Sequence, residues 1–289
     1  MPLKPLSHII FVLALALGVA LAATAARLCP AAPAWTGQTQ CVRLPAVMYH
    51  HILEETSLLN DYTILPQELR EDLLFLQREG YTPILIRDLI RYTQGEPLPE
   101  KPILLTFDDG YESFAVYAFP LLEEFGYPAV YSVIGSWADF YSQRQEHRVR
   151  YSHTDWETLQ ALQQSGLVEV QNHSYDLHRL EDGQRGAQRR AGEPASAYQQ
   201  RLAQDLRQLQ EHCAQNLKGW QPTCFAWPFG FSSPEALPIL RQLGISAALT
   251  CEERINTLTG DPEELFHLGR FNRPHGKPLE QILAAAQAP

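Results

Sequence analysis

The feature that most constrains this chain is a unit that recurs along it: a helix, a glycine, then a short apolar strand. It appears as Leu73-Leu74-Phe75-Leu76, Gly80 and Pro83-Ile84-Leu85-Ile86, and again as Leu121-Leu122-Glu123-Glu124-Phe125, Gly126 and Ala129-Val130-Tyr131. Leu159 and Leu162 lead to Gly166 and Leu167-Val168-Glu169-Val170, and Ile239-Leu240 and Leu243 lead to Gly244 and Ile245-Ser246-Ala247-Ala248-Leu249. Each glycine falls where a left-handed helix cap needs a residue without Cβ. Helix starts are marked by Pro66, by Pro234 and by Thr154-Asp155-Trp156-Glu157, which fits a capping box. After Tyr198, Leu202, Leu206, Leu209 and Cys213 share one helix face. Strands alternating with helices predict an α/β fold with a parallel sheet, open or closed into a barrel. In such folds sites form at the C-terminal ends of the strands.

Three of those ends carry chemistry. The apolar run Ile103-Leu104-Leu105-Thr106-Phe107 stops on Asp108-Asp109-Gly110, and Leu167-Val168-Glu169-Val170 leads to His173, with His178 five positions on. Phe229 lies at a third strand end. Asp-Asp-Gly alone reads as a turn with a helix-capping Asp. Two adjacent buried carboxylates, however, cost several kcal/mol unless a cation or hydrogen bonds compensate. A metal ion meets that need, and one Asp with two His leaves a coordination position open for water.

The 289 residues suit one large α/β domain or two small ones, and 45% hydrophobic content is ample for a core. A net charge of −10, from 23 basic and 33 acidic residues, argues against nucleic acid and an anionic membrane surface as partners. Near the N-terminus, Lys4 precedes an apolar stretch from Ile9 to Ala26 that ends in Ala23-Thr24-Ala25, a small-x-small pattern. Residues 1–26 therefore read as an export signal, cleaved or kept as an anchor, since the stretch lies at the lower limit for spanning a bilayer. The mature domain works outside the cytoplasm, with residues 27–43 as a linker and the folded domain over 44–289. Cys29–Cys41 and Cys213–Cys224 are possible pairs in an oxidising compartment, although sequence cannot settle connectivity. Two segments depart from the repeat: 137–153, aromatic and basic, and 181–197, polar and glycine-bearing. Both read as solvated loops, the second placed to rim the site.

The ordered motifs resemble those of the polysaccharide deacetylases, the NodB-homology or carbohydrate esterase family 4 enzymes. Thr106-Phe107-Asp108-Asp109-Gly110-Tyr111 is similar to their first motif, and Asn172-His173-Ser174-Tyr175-Asp176-Leu177-His178 to their second. Phe225-Ala226-Trp227-Pro228-Phe229-Gly230 is similar to the third. Val47-Met48-Tyr49-His50-His51 and Leu268-Gly269-Arg270-Phe271-Asn272 resemble the first and last strands of the branch that acts on poly-N-acetylglucosamine. The resemblance spans roughly residues 44–275 and implies a distorted (β/α) barrel of about seven parallel strands. Two departures stand out. One extra residue separates His173 from His178, as in that branch. The third motif has Ala226 and Trp227 where an Arg usually orients the catalytic Asp, and Arg270 is the candidate for that role.

By this resemblance Asp109, His173 and His178 hold a divalent metal, with zinc suiting the imidazole and carboxylate donors. Asp108 is the base that takes a proton from the attacking water. A backbone N–H near Phe229 helps hold the oxyanion, and Trp227 lies beside it on the substrate side. His50 is the leading candidate for the acid that protonates the leaving amine, ahead of His267. Trp137, Tyr141, Trp227, Phe229 and Phe231 could stack on a sugar, though core packing suits most of them. His51, His147, His153, His212 and His275 read as hydrogen-bonded structural residues, and Ser174 as a turn cap or a prop for His173. No Gly-x-Ser-x-Gly elbow supports a serine esterase.

The expected function is an exported, metal-dependent N-deacetylase of an N-acetylhexosamine polymer, its partner a cell-surface or extracellular glycan. Membrane contact would come only through the N-terminal segment. The alternatives are a deacylase of another substrate, such as O-acetyl xylan or a small amide, and a cell-wall glycan-binding protein without catalysis. The last has no need of a free Asp beside a metal.

Overall fold

A computed structural model of the chain describes residues 41–181 and 183–287. The expected signal, most of the expected linker and Cys29 lie outside the described residues. Among those residues no helix is long and apolar enough to cross a membrane.

Seven parallel strands form the frame: β1 (Ala46–Tyr49), β2 (Pro102–Phe107), β3 (Ala129–Val133), β4 (Val168–Asn172), β5 (Cys224–Ala226), β6 (Ala247–Leu249) and β7 (Phe271–Asn272). Their spatial order is β6-β5-β4-β3-β2-β1-β7, and Thr82–Ile84 adds a further parallel pairing to the start of β2. The sheet curls until Leu268, just before β7, bridges Leu249 of β6. The result is the expected distorted (β/α) barrel. A short antiparallel pair, Val42–Leu44 with Asn256–Leu258, flanks it.

Helices α1 (Pro66–Glu79), α2 (Ile86–Tyr92), α3 (Phe119–Phe125), α4 (Gly135–Arg144), α5 (Trp156–Gln164), α6 (Ala195–Asn216), α7 (Leu237–Gln242) and α8 (Leu279–Gln287) accompany the strands. The four glycines expected at helix ends, Gly80, Gly126, Gly166 and Gly244, have φ of 74°, 65°, 78° and 74°. The apolar stripe after Tyr198 is buried along α6, Cys213 included.

Strand alternation sorts the core into two compartments. Ile103, Leu105 and Phe107 of β2 pack with Val168 and Val170 of β4 in the outer core beneath α1, α5 and α8. Leu104 instead joins Val130, Cys224, Ala226, Ala247 and Leu249 inside the barrel. On β4 the inward positions are Glu169 and Gln171. Glu169 accepts from the N–H groups of Ile86 and Arg87 at the start of α2, and Gln171 accepts from those of Thr223 and Cys224. The period of two therefore aims Asp108 and His173, the next residues in these inward series, at one place above the barrel interior.

Several expectations are corrected. The cap of α5 is Asp155, whose carboxylate accepts from the N–H of Thr158, while the Thr154 hydroxyl bonds that of Tyr131. Cys213 and Cys224 do not pair: both are free thiols, one in the outer core and the other inside the barrel, on opposite sides of the sheet. The aromatic stretch from Trp137 is helical as far as Arg144, because Ala138 and Tyr141 give α4 a buried face. In the polar stretch, α6 begins at Ala195, and Gly186 packs so closely on the third motif that a Cβ would lie 2.6 Å from the Pro228 carbonyl oxygen.

Candidate active site

A cavity of about 630 Å³ opens at the C-terminal ends of the strands. Its lining includes His50, Asp108, Asp109, His173, His178, Trp227 and Phe229, so all but one of the expected site residues meet here. The exception, Arg270, stands directly beneath. His267, the second candidate for the acid, does not line the cavity; it ends the short helix Pro262–His267, and its carbonyl is held by Arg254.

Asp108 continues the inward series of β2 and is buried. Arg270 is fully buried and grips it with Nη1 at 2.8 Å from Oδ1 and Nη2 at 2.8 Å from Oδ2. The same guanidinium donates to the Thr106 hydroxyl and the Thr250 carbonyl. Burial would raise the Asp108 carboxyl, but the Arg270 charge, the nearby His173 and the Arg270 hydrogen bond together outweigh it and hold the group below the usual carboxylate range. Arg270 is thus the cation that contacts Asp108, at the place where the third motif offers no Arg.

Asp109 breaks the strand alternation with φ of 72°, a region that non-glycine residues seldom occupy. This turn brings Oδ1 to 3.3 Å from Nε2 of His173 and 3.3 Å from Nε2 of His178. The three ligand atoms lie within 4.8 Å of one another. His173 bonds the Ala226 carbonyl through Nδ1 at 2.9 Å, so a neutral ring turns its Nε2 lone pair toward Asp109. Burial pushes His178 down to about 4, leaving it neutral at pH 7. Asp109 Oδ1 is buried without a hydrogen-bond partner. With both rings neutral, two imidazole lone pairs face one carboxylate oxygen, an arrangement that a cation between them would relieve. The donor set therefore fits a divalent metal, and the carbonyl bonded to His173 is the kind of support that orients a metal-binding imidazole.

Between these histidines Ser174 adopts φ of 76°, and its hydroxyl accepts from the N–H of Leu177 at 3.1 Å. It caps the turn, while the prop for His173 is the Ala226 carbonyl. Phe229 is a third residue with positive φ, at 58°, and its ring lies 4.1 Å from that of His178. Trp227 is buried and packs edge-on against Phe225.

His50 follows β1 into the cavity, edge-on to Tyr62, with Nδ1 buried and unpartnered. Burial lowers its proton affinity despite the opposing pull of Asp109 and Asp108. One wall was missed in the sequence. His51 stacks on Tyr111 at 4.2 Å and both line the cavity; behind them Tyr111 meets His153 at 4.7 Å, and His153 stacks on Trp137 at 5.2 Å. His51 is fixed by the Ser113 hydroxyl and the Arg150 carbonyl, so its structural reading holds, yet its ring also lines the cavity. Only the aromatic density of 137–153 hinted at this wall.

The family model described as Polysaccharide deacetylase matches residues 95–248. A poly-beta-1,6-N-acetyl-D-glucosamine N-deacetylase of Escherichia coli (strain K12) is 29% identical over 226 residues, covering 72% of this chain and 34% of the relative. The chain thus spans about a third of that relative's length. Among solved structures, IcaB from Ammonifex degensii aligns with a TM-score of 0.68 at 27% identity, over 85% of this chain and 97% of its own. A de-N-acetylase from Aggregatibacter actinomycetemcomitans shares the fold, with a TM-score of 0.72 at 24% identity over 84% of this chain and 99% of its own.

Proposed function

Because the chain belongs to the polysaccharide deacetylase family, we propose that it is a metal-dependent N-deacetylase of an N-acetylglucosamine polymer, releasing acetate and leaving free amine. The observation that carries this reading is the pairing of two adjacent carboxylates with different partners. Asp108 is held ionised by Arg270, while Asp109 faces His173 and His178. A glycan-binding protein has no use for that division of labour. The substrate named for the Escherichia coli relative, poly-β-1,6-N-acetyl-D-glucosamine, is the first polymer to try.

Asp109, His173 and His178 would hold the metal, zinc being the natural choice for two imidazoles and a carboxylate. When bound, it would supply Lewis acidity to the acetamide carbonyl and to the attacking water. Asp108 takes the proton from that water as oxygen adds to the carbonyl carbon. The backbone N–H beside Phe229 stabilises the oxyanion, a contribution of about 2.7–4 kcal/mol where such donors have been removed. Collapse breaks the C–N bond, and His50 gives a proton to the departing amine. Trp227 and the His51–Tyr111 wall shape the cavity around the sugar.

The reading also places the domain outside the cytoplasm, with residues 1–26 as its export signal and 44–289 as the catalytic domain. Acetate release should be followed from poly-β-1,6-N-acetyl-D-glucosamine, chitin oligomers, peptidoglycan and O-acetyl xylan, with and without chelator. Chelator-sensitive release from an N-acetylated polymer, restored by zinc, is the expected result. Release from xylan alone would reassign the substrate. Glycan retention with no acetate would make the protein a binder.

A further inference from the structure

Both candidate metal-binding imidazoles hang from one short turn, and its geometry is fixed from outside. Four residues separate His173 from His178, and the N–H groups of Tyr175 and Asp176 point away from the metal site, toward α6. Consecutive N–H groups of this kind form a concavity suited to an anion. Asp205 of α6 fills it, with Oδ1 2.8 Å from the N–H of Tyr175 and Oδ2 2.8 Å from that of Asp176. Each carboxylate oxygen thus takes one of two successive peptide donors, fixing the rotation of the turn as well as its position.

The anchor is rigid. Asp205 lies between Leu202 and Leu206, on a 22-residue helix whose buried stripe runs from Tyr198 to Cys213. A second bond ties α6 to the motif, from Asn172 Nδ2 to the Leu206 carbonyl at 3.4 Å. Asp205 is itself buried, and burial pushes its carboxyl up to about 6 even with both N–H donors in place. Holding a carboxylate there opposes stability, which is the mark of a group kept for something other than packing.

We infer that Asp205 is a positioning residue of the metal site, setting the presentation of His173 and His178 by bracketing the two peptide N–H groups between them. The inference rests on the reading of Asp109, His173 and His178 as metal ligands. Asp205 touches neither substrate nor metal; it acts through the turn. Supporting groups around metal ligands commonly govern affinity by roughly 10–100-fold, and a comparable loss is expected here.

The test uses the full chain stripped of metal and titrated with Co²⁺, whose visible absorption reports coordination geometry, and with Zn²⁺ for affinity. Asp205→Ala and Asp205→Asn should each weaken binding by about 10–100-fold and alter the Co²⁺ bands. Asn keeps one acceptor and turns an amide toward the other N–H, so it should fall between wild type and Ala; it also serves if Ala does not fold. Leu202→Ala, in the same helix, should lower thermal stability and leave the Co²⁺ spectrum as in wild type, separating positioning from general packing. Folded Asp205 variants with wild-type affinity and spectrum would overturn the inference, as would an equal spectral change in Leu202→Ala. If wild type takes up no metal, or His173→Ala binds it as tightly as wild type, the ligand reading itself falls and the inference with it.

Discussion

Arg270 holds Asp108 with both terminal nitrogens at 2.8 Å from its carboxylate oxygens, across 162 positions of sequence, the guanidinium fully buried beneath the cavity floor. Breaking such a pair from one side leaves an unpaired buried charge, at a cost of about 3–5 kcal/mol. Arg270→Lys keeps a positive charge and loses the two-pronged grip. It should lower kcat by one to two orders of magnitude and lower Tm, while bound metal stays at the wild-type level. A wild-type kcat would remove Arg270 from the catalytic assembly.

Asp108→Asn preserves shape and removes the base. The variant should bind metal as wild type does and lose nearly all turnover. His173→Ala and His178→Ala should each abolish most metal binding. Metal analysis beside acetate release separates these outcomes, and loss of metal from Asp108→Asn would mean that Asp108 and Asp109 have exchanged roles.

His50→Ala should reduce kcat by roughly 10²–10⁴, the range of a general acid, with metal content unchanged. His267→Ala should do far less, since His267 does not line the cavity. The pH–kcat profile gives a further check: its alkaline limb should disappear in His50→Ala. Two mild variants would leave bulk water as the proton source.

Asp205 gives the fold a pH dependence of unusual sign. Its carboxyl rises on folding from 3.8 to about 6, chiefly through burial, with Asp176 adding to the rise and Arg201 opposing it. The folded state therefore binds more protons than the unfolded one between these values, and stability falls as pH rises through the interval. The full difference is about 3 kcal/mol. Denaturant unfolding of the metal-free protein at pH 4 and pH 7, compared with Asp205→Asn, should show wild type losing more stability than the variant on going to the higher pH. Parallel curves would mean that Asp205 is not buried as described.

The frame of the site was legible because it obeys local rules. Alternation along β2 and β4 aims Asp108 and His173 inward, and the glycines after the helices announce each returning strand. What lay hidden depends on distance in sequence. The hold of Arg270 on Asp108 needs the barrel to close through Leu249 and Leu268 before the two meet, so only resemblance pointed to it. Asp205 is one polar residue on an amphipathic helix, and nothing local separates it from a solvated one. The stack of His51, Tyr111 and His153 joins three distant segments, so the two histidines taken alone read as structural. The rejected Cys213–Cys224 pair failed for the same reason: eleven positions of spacing carry no word of the sheet between them.

Five non-glycine residues among those described have positive φ, and Asp109, Ser174 and Phe229 are three of them. A side chain in that region costs about 1–2 kcal/mol, which glycine would return. A variant library ranked by melting temperature would thus enrich glycine at three positions where the chain sets the Asp109 carboxylate, the turn between His173 and His178 and its third motif. Gln145, at the end of α4, and Lys218, just beyond α6, hold the same backbone conformation with φ of 51° and 51°, and neither lines the cavity. Gln145→Gly and Lys218→Gly should each raise stability by about 1 kcal/mol with catalysis intact, measured by Tm and acetate release. Engineering for robustness has free ground at the two helix ends and a trade against turnover at the cavity rim.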